Sequence, residues 1–147
     1  MIAVCRGVQT NAWLPLVVCL MALSGCATSG VDRLPSLGVA ELTGDVQVAR
    51  VRLESYYFEP NRLMVQVDVP VRLILDNATL LTGHDFSIFA PDSALELDAY
   101  VPARQQVTIQ FVPTKVGEYR FYCNIDDHAE KGMMGTLVVV EEMVADR

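Results

Sequence analysis

The sequence predicts an all-β domain, a Greek-key β-sandwich, and three observations carry that expectation. From Val46 onward the apolar residues mostly alternate with polar ones in short runs; prolines and glycines separate the runs; and no stretch sustains the 3.6-residue apolar period of an amphipathic helix. The chain has 147 residues, with 52% hydrophobic and 20% charged, which suits one globular domain and excludes wholesale disorder.

The first strand expected is Val46 to Leu53, where the alternation shifts phase around Val48 to Arg50 and reads as a bulge. Leu63, Val65, Val67 and Val69 then share one parity against Gln66 and Asp68. Val71, Leu73 and Leu75 repeat the pattern against Arg72 and Asp76. Pro60-Asn61, Pro70, Pro91-Asp92, Pro102 and Pro113 mark loops or edges, because proline cannot donate to a ladder. Ser93 to Asp98 is the only segment that could form a short helix. Val107, Ile109 and Phe111, then Gly117 to Tyr122, then Thr136 to Val140, complete six to eight strands.

The N-terminus reads as an address. Ala12 to Leu23 is an apolar run too short to span a bilayer as a helix, and Leu23-Ser24-Gly25-Cys26 after it resembles a bacterial lipobox. Cys26 would become the lipidated first residue. The expected organisation is a leader at 1–25, lipidated Cys26 with a flexible tether to 44, a sandwich at 45–142 and a tail at 143–147. The location expected is the periplasm or outer cell envelope, anchored to a bacterial membrane. Cys5 and Cys19 leave with the leader, so Cys123 remains as a solitary thiol in an oxidising compartment and needs something to occupy it.

Charge narrows the partners. With 11 Lys+Arg against 18 Asp+Glu the net charge is −7, which disfavours nucleic acid and suits a basic protein. A monomer is expected. There is no nucleophile elbow, no phosphate-binding glycine loop and no second cysteine near Cys123, so an enzyme is not expected.

The chemistry gathers in the second half. The chain contains two histidines, His84 and His128. Parity turns Tyr119, Phe121 and Cys123 to one face, and His84, Phe86 and Ile88 likewise share a face, so the thiol and the first imidazole both point inward. The spacing Cys123-x4-His128-x4-Met133 forms a loop that returns into the last strand. A thiolate, two imidazoles and a weak axial thioether are the ligand set of a blue-copper electron-transfer site, whereas zinc would seek a fourth strong ligand or a water. Met134 competes with Met133 for the axial place, because adjacent residues face opposite ways.

The stretch from Tyr119 through Cys123, His128 and Met133 to Val139 resembles the C-terminal signature of the plastocyanin/azurin-type cupredoxins. Phe58 to Val67, Val71 to Asn77 and Gly83-His84-Asp85-Phe86 resemble the family's early strands and first copper histidine. The resemblance covers roughly Val46 to Glu142. It implies a cupredoxin sandwich with one mononuclear type 1 copper bound by His84, Cys123, His128 and Met133. Asp85 stands where the family often has Asn, and it is expected to brace the two ligand loops as a hydrogen-bond acceptor. Asp126, Asp127 and Glu130 place negative charge beside His128, which implies a lowered potential and a basic partner such as a c-type cytochrome. Two functions follow as expectations: a tethered electron shuttle, or a copper chaperone or sensor that hands the ion on.

Overall fold

A computed structural model of the chain describes residues 34–143. The expected leader, Cys26 and the last four residues of the tail lie outside the described residues. The described residues form eleven strands: β1 (Leu37–Val39), β2 (Glu41–Thr43), β3 (Val46–Glu54), β4 (Tyr57–Glu59), β5 (Arg62–Gln66), β6 (Val71–Asn77), β7 (His84–Ala90), β8 (Leu95–Val101), β9 (Gln106–Phe111), β10 (Gly117–Tyr122) and β11 (Met134–Val140). They build two facing sheets. One is six-stranded in the order β1-β5-β11-β10-β7-β8; the other runs β2-β3-β6-β9, with β4 sharing the β2 edge of β3. Both sheets are mixed, since β5 lies parallel to β1 and β11, and β3 lies parallel to β6.

Alternation does the sorting. Leu63 and Val65 of β5, Val71, Leu73 and Leu75 of β6, and Leu137 and Val139 of β11 are buried, while their spacing of two turns the intervening residues to the other face. Burying each such side chain contributes about 1.5–3 kcal/mol. Phe58, Phe86 and Phe121 meet in the middle of the sandwich, with Phe86 and Phe121 stacked at 4.7 Å and Phe58 edge-on to both at 5.8 and 5.1 Å. Gly135 is small for a reason: a Cβ there would strike the Phe121 ring and the Asn61 carbonyl.

Three expectations are corrected. Residues 37–43, read as tether, pair as β1 with β5 and as β2 with β3, so the folded domain begins earlier than 45. There is no bulge in β3: its register with β6 is unbroken from Gln47↔Val71 to Leu53↔Asn77. The apparent phase shift arises because the inward position is a glutamine. Gln47 is fully buried and its amide donates to Gln66 O at 2.9 Å and Val69 O at 3.1 Å, while its Oε1 accepts from Gln66 N–H. Ser93 to Asp98 is not a helix. A 3-10 turn at Pro91–Ser93 leads into β8, where Leu95, Ala99 and Val101 are buried against exposed Glu96, Asp98 and Tyr100. Period-two alternation outweighs the helix-compatible composition.

Parallel pairing of β3 with β6 and antiparallel pairing of β6 with β9 and β7 with β8 bring one set of loops to a common end. Those loops are the β3–β4 turn, the segment from Ala78 to Gly83, the β8–β9 turn and the loop from Cys123 to Met133. The candidate site lies there.

Candidate metal centre

His84 is the first residue of β7, paired with Val101, and its inward parity buries it to 1% exposure. The segment before it is tied down by Asn77. That side chain is buried, donates to Thr82 O at 3.0 Å and Val101 O at 2.9 Å, and accepts from Thr79 N–H and Oγ–H. Gly83 lets the Tyr100 ring lie directly against the backbone; a Cβ there would push the hydroxyl end of that exposed ring aside.

The second arm is a loop that hydrogen-bonds to itself. Cys123 N–H donates to Met133 O at 3.1 Å, Met133 N–H to His128 O at 2.9 Å, and His128 N–H to Ile125 O at 3.1 Å. Gly132, at φ 102°, supplies the positive φ that turns the chain back toward β11. Cys123 and Met133 are completely buried; Met134, the alternative, is 38% exposed and starts β11 in register with Tyr122 of β10.

The two arms converge. His128 Nδ1 lies 3.4 Å from Cys123 Sγ, His84 Nδ1 lies 3.9 Å from it, and the two Nδ1 atoms are 3.3 Å apart. The three donors lie within 4.8 Å of one another, all buried. A trigonal ion with nitrogens at about 2.0–2.1 Å and sulfur at about 2.3 Å needs donor separations of about 3.6–3.8 Å, so this triangle is close to the required size. His84 Nε2 is buried without a partner, which leaves the Nδ1 side, facing the thiol, as the side on which the ring finds other polar groups. A soft sulfur with two borderline nitrogens fits copper.

Asp85 bridges the arms as expected of an acceptor. Its carboxylate accepts from Asn124 N–H, and its own backbone N–H donates to Cys123 Sγ at 3.4 Å. Burial pushes the Asp85 carboxyl above its ordinary range, with the Asn124 N–H opposing the shift. Burial also raises the Cys123 thiol, against the lowering effect of the Asp85 and Ile125 N–H groups, so binding an ion there must displace a proton. Burial, and then the neighbouring His128, lower His84 to about 4, so its ring is neutral at physiological pH and available as a donor.

Sequence reasoning gave no signal for Tyr56 and Lys131. Tyr56, in the β3–β4 turn, lies edge-on to His128 with ring centroids 5.1 Å apart, and Lys131 Nζ sits 4.6 Å from the tyrosine centroid. Lys131 also pairs with Asp127 at 2.8 Å, so one of the three acidic groups beside His128 is neutralised locally. The nearest hint in the sequence is a bulky aromatic at a tight turn, which does not name its contact.

Comparison with known proteins agrees with this fold. The profile of the cupredoxin-like domain matches residues 16–139. No curated protein sequence matches significantly. Among solved structures, the metal binding domain of the Cu(I)-exporting P-type ATPase of Streptococcus pneumoniae D39 is 20% identical, with a TM-score of 0.58, covering 74% of this chain and 100% of that one. Reduced auracyanin from the photosynthetic bacterium Roseiflexus castenholzii is 15% identical, with a TM-score of 0.57 over 65% of this chain and 97% of that one. Auracyanin A, a "blue" copper protein of Chloroflexus aurantiacus, is also 15% identical, with a TM-score of 0.57 over 65% and 99%. At these identities the likeness speaks to the fold alone. His84, Cys123 and His128 form one candidate copper site at the end of the sandwich. A profile match over most of the sequence and a two-sheet scaffold that turns two imidazoles onto one thiol lead to a single assignment: the chain belongs to the cupredoxin-like domain family.

Proposed function

We propose that the protein carries single electrons between redox partners in the bacterial envelope, through one type 1 copper held by His84, Cys123, His128 and Met133. The observation that carries this reading is the convergence of Cys123 Sγ and two Nδ1 atoms inside a buried, hydrogen-bonded frame. Bound copper supplies a one-electron couple whose two oxidation states tolerate the same trigonal donor set. The chain does the rest. Cys123 contributes a thiolate, stabilised by the Asp85 N–H; His84 is fixed by the β7 ladder; His128 is fixed by its loop. Met133, completely buried and hydrogen-bonded through its backbone N–H to His128 O, would offer its thioether as the weak fourth donor, in preference to exposed Met134.

The anchor at Cys26 and the basic partner complete the proposal. The lipobox-like Leu23-Ser24-Gly25-Cys26 supports tethering to the membrane, and the net charge of −7, with exposed Asp126 and Glu130 beside His128, supports a basic partner such as a c-type cytochrome. The role is that of a carrier and not a catalyst. The deciding experiment is addition of Cu(II) to the purified protein. An intense visible thiolate-to-copper band with reversible one-electron cycling is expected. A colourless, readily surrendered ion would point to copper delivery instead, and no uptake would end the copper reading.

A further inference from the structure

His128 does not belong to a ladder. Its backbone is held by Ile125 and Met133 within the loop, and the residue is buried at 5% exposure. What lies against its ring comes from a different part of the chain. Tyr56 occupies the two-residue turn between β3 and β4, where Glu54 pairs with Tyr57. Its φ is 64°, a left-handed conformation that favours glycine or asparagine and is rare for a bulky side chain. An outlier of this kind needs a compensating contact. Core burial does not provide it, because the residue is 40% exposed. The contact it makes is with the metal-site imidazole, edge-on at 79° and 5.1 Å. On the tyrosine ring sits Lys131 Nζ, held in turn by Asp127, and both belong to the same loop that carries His128. The ligand loop thus folds back over Tyr56, with the ammonium over the phenol ring and the imidazole edge-on to it.

We propose that Tyr56 is a positioning residue for His128: its ring, clasped by Lys131, keeps the imidazole turned toward Cys123 and covers the side from which an ion would leave. This rests on the copper reading of the site. A residue outside the ligand set that orients a metal-binding histidine alters metal retention, typically by 10–100-fold. Because glycine accepts positive φ without a Cβ penalty, Tyr56→Gly removes the ring while relieving the turn, so the fold is expected to survive.

The experiment compares the full chain with Tyr56→Gly, Tyr56→Phe and Lys131→Gln, each loaded with copper, reduced and mixed with excess Cu(I) chelator. Tyr56→Gly is expected to surrender copper roughly tenfold faster or more, Tyr56→Phe at the unchanged rate, and Lys131→Gln at an intermediate one. In the metal-free chain, nuclear Overhauser contacts between the His128 ring and the Cys123 β-protons should weaken in Tyr56→Gly and persist in Tyr56→Phe, with a melting temperature no lower than that of the original chain. Equal release rates and unchanged His128–Cys123 contacts in Tyr56→Gly would overturn the proposal. So would equally fast release from Tyr56→Phe, since the ring would then be irrelevant. If the unsubstituted chain takes up no copper, the copper reading fails by itself, and the metal-free His128–Cys123 contacts still decide whether Tyr56 positions the imidazole.

Discussion

His84 rides on a strand and His128 on a turn, and different parts of the molecule hold them. His84 is locked by its pairing with Val101, by Phe86 two residues along the same face, and by the Asn77 hydrogen bonds beneath the preceding loop. It moves only if the sheet moves. His128 is held by bonds within its own loop and by side chains that meet it from outside. The contrast teaches that one ligand shares the stability of the core while the other depends on local contacts, which open at lower free energy. Cys123, at the end of β10, and Asp85, next to His84, are where the two regimes join.

The largest effect should come from the shared sulfur. Cys123→Ser keeps the size and leaves a hydroxyl to accept the Asp85 N–H, but removes the soft donor. Complete loss of the intense visible band, with far-ultraviolet circular dichroism unchanged, is expected on titration with Cu(II). A persistent band would show that the thiol is not a ligand and break the site in two.

Next is the core beneath both arms. Phe121 lies two residues before Cys123 and stacks on Phe86, which lies two residues after His84. Phe121→Ala should cost about 3–5 kcal/mol in urea unfolding. If the strand-held arm depends on the core, copper retention should fall with it; unchanged retention would mean that the loops hold the site alone.

Asp85 tests the bridge. Asp85→Ala removes the acceptor for Asn124 N–H while keeping the backbone donor to Cys123, and copper affinity measured by competition should fall about 10–100-fold. Asp85→Asn retains an acceptor oxygen and should recover most of the loss. Equal behaviour of the two variants would assign the effect to charge and not to the hydrogen bond.

The smallest effect is in pH. In the metal-free chain His84 is lowered from 6.5 to about 4, so between those values the unfolded chain binds a proton that the folded chain refuses. Stability should therefore fall as pH drops from about 6.5 to 4, as read by urea midpoints. Asp85, raised by burial above its ordinary 3.8, works in the opposite sense above that value, so it offsets part of the loss at the acid end of the same window. His84→Gln should flatten the upper part of the profile, and a profile that keeps its slope would place the loss elsewhere.

Much of this arrangement was legible in the chain. Alternation gave β5, β6, β10 and β11, because a half-buried sheet imposes a period of two on any sequence that folds into it. The same parity aims His84 and Cys123 inward, and both are buried. Gln47 misled because a buried amide looks polar in the sequence while its partners, the Gln66 and Val69 carbonyls, lie some twenty residues away. Leu37 to Thr43 misled because strands of three residues are too short to display a period; they exist because β5 and β3 had free edges to pair.

The sequence by itself determined the scaffold, the inward face and the identity of the donors, since these follow from local alternation and from which residues carry sulfur or imidazole. Only the tertiary structure decided that Met133 is buried and Met134 is not, that β3 runs unbroken beside β6, and that a tyrosine from a distant turn lies on His128. Those outcomes depend on how loops from separate strands are brought to one end of the sandwich, and a one-dimensional pattern does not encode which loops will meet.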